Sequence, residues 1–209
     1  QPYNYSLSAG GSSGGAAAAV SMNLVPCADG SDMMGSCRNP AAFTNLYGYR
    51  PTPGVIPEQR DNSIDRKMPI ISTTGVISRR PDDLCYYMNC IAGKDQKDGS
   101  SIDIKYPFLK IETLKPTGIF KIGWLNNFCE KYYFENEILS MCQQALVEVS
   151  KNERKIQVDI NKDDLSTDLL WKSWTTIRSK IISDNLTETF EGKIDQLSEP
   201  AQWEYKNGI

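Results

Sequence analysis

The sequence predicts an α+β fold: a small, mostly antiparallel sheet packed with three C-terminal helices and preceded by a long, extended irregular N-terminal arm. Three observations carry this. Apolar residues alternate in short β-branched runs between residues 68 and 124 and again at 155–160. They recur at helical spacing near 125–151, 164–184 and 186–198. The first 66 residues show neither period and are rich in Gly, Ala, Ser and Pro. The expected organisation is therefore an arm over 1–66 and an α+β domain over 67–209.

Residues 1–21 are of low complexity. Glycine loses the most backbone entropy on ordering, and Ala and Ser bring little surface to offset that loss. Such a segment is expected to order only against neighbouring surfaces. Pro26, Pro40, Pro51, Pro53 and Pro57 then break any long helix. Tyr3, Tyr5, Phe43 and Tyr49 are spaced along this arm as candidate interface anchors, and Trp203 and Tyr205 near the C-terminus share that reading.

Residues 68–80 are β-branched and read as a strand with Gly75 as a bend. Pro81, Asp82 and Asp83 suit a first helical turn, where proline fits and carboxylates favour the dipole. Residues 102–111 and 120–124 alternate as strands, with 115–118 as the turn of a hairpin. The helix over 125–151 carries Phe128, Tyr132, Leu139, Cys142, Leu146 and Val149, with Asn127 and Glu130 as a capping box. Ile156, Val158 and Ile160 alternate as a strand. Leu170, Trp174, Ile177 and Ile181 share one face of the next helix. Leu186, Phe190, Ile194 and Leu197 share a face of the last, with Asn185 and Glu188 at its start and Pro200 barring its continuation.

Composition narrows the function. The 209 residues hold 23 Lys and Arg against 26 Asp and Glu, a net charge of −3, which argues against nucleic acid as a partner. No apolar run is long enough to span a bilayer. The start at Gln1 suggests a processed mature chain.

There is no histidine. Histidine-based nucleophile systems and mixed Cys/His zinc sites are thereby excluded. No phosphate-binding glycine loop and no G-x-S-x-G occur. Asp159, Asp163, Asp164 and Asp168 read as helix-start charges rather than metal ligands. Of six cysteines, Cys27 and Cys37 flank a glycine-containing loop and are a possible disulfide, whereas Cys129 and Cys142 sit about 20 Å apart on one expected helix.

These features point to a non-enzymatic structural or accessory subunit of a large multiprotein assembly: a virus particle, a cytoskeletal array or an organellar complex. Its arm would clamp other protein chains, and no catalytic, cofactor or metal residues are expected. One alternative is a secreted or cell-surface module with local disulfides. Another is a histidine-free enzyme using carboxylate, Tyr or Lys chemistry.

Overall fold

The computed structural model describes residues 1–58, 70–104, 108, 120–125, 132–152, 156–160, 166–190 and 193–209. It divides into two units, Gln1–Leu114 and Lys115–Ile209, rather than at residue 66.

The first unit is built on β3 (Thr73–Ser78), the β-branched run expected to be a strand. β1 (Cys27–Asp32) and β2 (Tyr47–Tyr49) flank it, both antiparallel, in the order β1-β3-β2. The register sets Cys27 opposite Ser78, Gly30 opposite Gly75 and Asp32 opposite Thr73. Successive residues of a strand face opposite ways, so Val76 and Ile77 seed two separate cores. Ile77 packs with Ala17, Cys37 and Ala41. Val76 packs with Val55, Ile56 and Met88.

The helices α1 (Gly14–Ser21) and α2 (Arg38–Phe43) supply the first core, and α3 (Pro81–Ile91) supplies the second through Met88. Helix α3 begins as its sequence implies, with proline in the first turn followed by Asp82 and Asp83.

Residues before 66 are therefore not a detached arm. Two of the three strands in this sheet come from them, and two of the three helices among the described residues of the unit. Their small side chains let α1 and its loop lie close against β1, where bulk would prevent it. Pro40 falls within the first turn of α2, where its missing N–H has no helical partner to lose.

The second unit opens with β4 (Phe120–Trp124), α4 (Asn136–Asn152) and β5 (Ile156–Ile160). Strands β4 and β5 pair in parallel, Phe120 opposite Ile156 and Trp124 opposite Ile160. The expected hairpin between 102–111 and 120–124 lies largely outside the described residues, which give β4 a parallel neighbour in β5. Parallel neighbours need a crossover, and α4 is that crossover. The helix starts later than expected, and the capping pair Asn127 and Glu130 lies outside the described residues, as do 105–107, 109–119, Cys129, Asp163 and Asp164.

Helix α5 (Thr167–Phe190) runs straight through Asn185 and Glu188, so that pair does not start a new helix. A single 3-10 turn (Ile194–Gln196) follows, then α6 (Glu199–Gly208). Pro200 begins α6 instead of barring a helix, the position where proline is best tolerated. α6 packs on α5 through Gly208, against Ser179 and Ser183, and through an ion pair from Arg178 to Glu204. Of the expected apolar face of α5, Ile181 is buried, Trp174 half-buried, and Leu170 and Ile177 exposed. Among the described residues no helix is long and apolar enough to cross a membrane.

Candidate active site

The candidate site lies in the first unit, where two Gly/Ser loops meet: residues 10–15, leading into α1, and residues 33–37, between β1 and α2. The organising group is Asp32 at the end of β1, with no exposed surface. Its Oδ1 accepts the Gly35 N–H at 2.7 Å and Nη2 of Arg38 at 2.9 Å. Its Oδ2 accepts the Cys37 N–H at 3.2 Å and Nε of Arg38 at 2.9 Å. A fork of this kind matches the guanidinium to the carboxylate at two points. Burial by itself would raise the Asp32 carboxyl. The Arg38 bonds and the N–H groups of Gly35 and Cys37 outweigh it and hold the group below the usual carboxylate range. Arg50 braces the same corner, donating Nε to the Asp32 carbonyl at 3.1 Å and Nη2 to the Ile71 carbonyl at 3.1 Å.

Ser36 stands between the two N–H groups that Asp32 holds. Its own carbonyl accepts the Ser13 N–H at 3.1 Å. Its backbone is thus fixed before, at and after the residue, and the side chain is half-buried. Two glycines make this possible. Gly35 sits at φ +99°, a region side-chain-bearing residues avoid, and a Cβ there would come within 2.7 Å of Asn39. A Cβ on Gly30 would come within 2.5 Å of the Ser13 hydroxyl and 3.0 Å of the Cys37 sulfur. Only a glycine lets the 10–15 loop lie on β1. The Ser13 hydroxyl donates to the Ser31 carbonyl at 3.4 Å, and the preceding peptide, Gly11–Ser12, is cis. The outcome is that Ser13 and Ser36 are brought together from positions 23 residues apart in sequence.

The titratable groups touching this loop are committed to structure. Asp32 is ionised with both oxygens engaged. Arg38 is held more firmly protonated by its hydrogen bond to Asp32. Burial pushes the Cys37 thiol up, against an opposing hydrogen bond with Ser13, so it stays a neutral thiol. The reactive group this site offers is the Ser36 hydroxyl, half-buried on a fixed backbone.

Of these residues only Cys37 was among the expected sites, as a disulfide partner. The signal was present in two Gly/Ser clusters, GGSSGG at 10–15 and GSDMMGSCR at 30–38, the second placing Asp four before Ser and Arg two after it. The expected Cys27–Cys37 disulfide is not formed, and both are free thiols. The Cys37 sulfur lies beside Gly30, three residues along β1 from Cys27 and so about 10 Å away at strand rise.

The expected anchors fall in different settings. Tyr3, Tyr5, Phe43 and Trp203 are exposed, and Tyr205 is half-buried. Tyr49 instead packs edge-on to Phe108, ring centroids 6.3 Å apart. Among the described residues no group of His, Cys, Asp and Glu could hold a metal ion.

A serine is thus fixed on a strand-to-helix turn, with a buried carboxylate spent on fixing it. The chain belongs to the amidase family, which it matches over residues 1–206. It is 34% identical over 174 residues to a glutamyl-tRNA(Gln) amidotransferase subunit of Legionella pneumophila (strain Corby), covering 81% of this chain and 34% of that protein. The corresponding protein from Persephonella marina is 41% identical over 123 residues, 58% of this chain and 24% of that protein. In structure the chain is similar to a bacterial aryl acylamidase of the amidase signature family, with a TM-score of 0.81 and 26% identity over 99% of this chain and 43% of that one. It also shares the fold of fatty acid amide hydrolase, with a TM-score of 0.75, 23% identity, all of this chain and 36% of that one. The chain spans about a third of the length of the curated relatives it matches.

These matches overturn the expected non-enzymatic subunit of a virus particle, cytoskeletal array or organellar complex, and the small α+β subunit with an arm. The family is one of hydrolases and amidotransferases, and the supposed arm carries the two Gly/Ser loops of the candidate site.

Proposed function

We propose that this chain carries the serine-bearing part of an amidase that cleaves a carboxylic amide through an acyl intermediate on Ser36. The Ser36 hydroxyl oxygen attacks the amide carbonyl, and its proton is carried to the leaving nitrogen. The C–N bond breaks, the nitrogen leaves with a proton as the amine, and the acyl group rests on Ser36 as an ester. Water, or an amine acceptor, then takes the acyl group and returns the proton to the serine. Fixing the nucleophile in advance is where such a site gains rate, since less freedom is lost on reaching the transition state.

The observation that carries the reading is the three-point hold on Ser36 by Asp32 and the Ser13 N–H. Relatives that are themselves amidotransferase subunits support an expectation of partner chains as well. The test is labelling with a small fluorophosphonate followed by peptide mapping. The label is expected on Ser36 and is expected to vanish in Ser36→Ala. Label on another residue, or anilide hydrolysis that survives Ser36→Ala, would overturn the assignment.

A further inference from the structure

Ser13 and Cys37 hold equivalent places in the two loops. Each is the N-cap residue of the helix that follows, Ser13 of α1 and Cys37 of α2. A serine there normally turns its hydroxyl onto the N–H of the second or third helical residue. Neither helix receives such a bond from its cap side chain. Both side chains turn instead over the middle of β1. A Cβ on Gly30 would meet the Ser13 oxygen at 2.5 Å and the Cys37 sulfur at 3.0 Å, so the two atoms crowd one point above the strand. Gly75, the partner of Gly30 in the register, is bare toward the sulfur as well, where a Cβ would come within 3.1 Å. A buried cysteine is ordinarily a small apolar filler. Cys37, with no exposed surface, has in addition a hydrogen bond with the Ser13 hydroxyl. Ser13 thus meets the second loop twice, through its N–H on the Ser36 carbonyl and through its hydroxyl on the next residue.

From this arrangement we infer that the Ser13–Cys37 contact, seated on the Gly30–Gly75 pair, is the bolt between the two loops, and that Cys37 is a positioning residue for Ser36. The inference rests on the amidase reading and adds to it a residue that acts through Ser13 and the loop backbone rather than on the substrate. A hydroxyl that gives up its local partner for a tertiary one exchanges helix stability for a fixed distance between loops. That exchange is useful where the placement of a nucleophile sets the rate.

The test uses the full chain and the small fluorophosphonate over a range of concentrations, which separates the limiting rate of Ser36 labelling from the half-saturating concentration. Cys37→Ala is expected to lower the limiting rate about fivefold to tenfold, the weight of one hydrogen bond, and to leave the half-saturating concentration in place. Cys37→Ser keeps a hydrogen-bonding atom and is expected to recover most of the loss. Ser13→Ala removes the same contact from the other side, so the double variant is expected to be no slower than the slower single variant. Amide exchange at Val76 and Ile77 reports whether the unit stays closed. Should Cys37→Ala open it, Ser13→Ala carries the test and must by itself lower the limiting rate by the same factor. Unchanged limiting rates, a loss confined to the half-saturating concentration, or losses that multiply in the double variant would overturn the bolt. Absence of label on Ser36 in the unsubstituted chain would overturn the reaction instead, and it is seen before any variant is made.

Discussion

Asp32→Asn isolates the charge at the centre of the serine loop. The shape is kept, and one side-chain oxygen still accepts the Gly35 N–H. The other position becomes an amide NH₂ facing the Cys37 N–H, donor against donor, and Arg38 loses its charge-assisted fork. Removing one member of a fully buried ion pair costs about 3–5 kcal/mol, because the other is stranded. Arg38 is not stranded: its side chain is 52% exposed and rehydrates. What remains is a buried N–H without an acceptor, about 1–3 kcal/mol, and the lost charged bonds, so a total of about 3 kcal/mol follows. That corresponds to roughly a hundredfold in the opening equilibrium.

The readout can be confined to the first unit. Trp124, Trp171, Trp174 and Trp203 all follow Leu114, so tryptophan fluorescence reports the second unit. Amide exchange at Val76 and Ile77, in the central strand, reports the first. Exchange there is expected to accelerate about a hundredfold while the tryptophan transition stays in place. The pH dependence has a definite sign. The folded carboxyl titrates below its unfolded value of about 3.9, so its contribution is full above that pH. It fades as pH falls from there through the lower folded value, and the Asn variant lacks this fade. An exchange change below about threefold, or an equal loss in both units, would refute the view of Asp32 as the keystone of the serine loop.

Three further outcomes are expected. Gly35→Ala forces a side chain to φ +99° against Asn39, which should cost about 1–2 kcal/mol and slow fluorophosphonate labelling of Ser36 at least tenfold. Gly208→Ala sets a Cβ 2.5 Å from that of Ser183 and closer still to the Ser179 carbonyl, so α6 should lift from α5 at a cost of about 1–3 kcal/mol, visible in tryptophan fluorescence. Trp174→Ala, at a half-buried position, should fall below the roughly 3–5 kcal/mol of a fully buried tryptophan, which urea denaturation checks directly.

What could be read from the sequence, and what could not, follows from how each element is stabilised. β3 and β5 were legible because β-branched residues mark a pleated, packed surface, and α3 because Pro81 and two aspartates mark a helix start. β1 was not. Its residues, Cys-Ala-Asp-Gly-Ser-Asp, are mostly turn formers, and no apolar period runs through them. The structure gives the reason: Gly30 must be bare so that Ser13 and Cys37 can lie against it, and Asp32 must stand at the strand's end to hold the next loop. α1 was missed for a related reason, since a helix of Gly and Ala packs by being small and so shows no amphipathic stripe.

The same physics governs the function. The absence of histidine removes imidazole chemistry, but it does not lower the case for catalysis altogether. A serine whose backbone is fixed at three points is a positioned nucleophile, and the base that activates such a serine need not be an imidazole. The Gly, Ser and Ala that resemble a flexible tail are also what two loops need in order to approach within hydrogen-bond distance. Low complexity at 10–15 is evidence of disorder only when nothing nearby demands small side chains. Here a second cluster at 30–38, with its Asp and Arg, makes that demand, and the pair together, rather than either cluster alone, specifies the site.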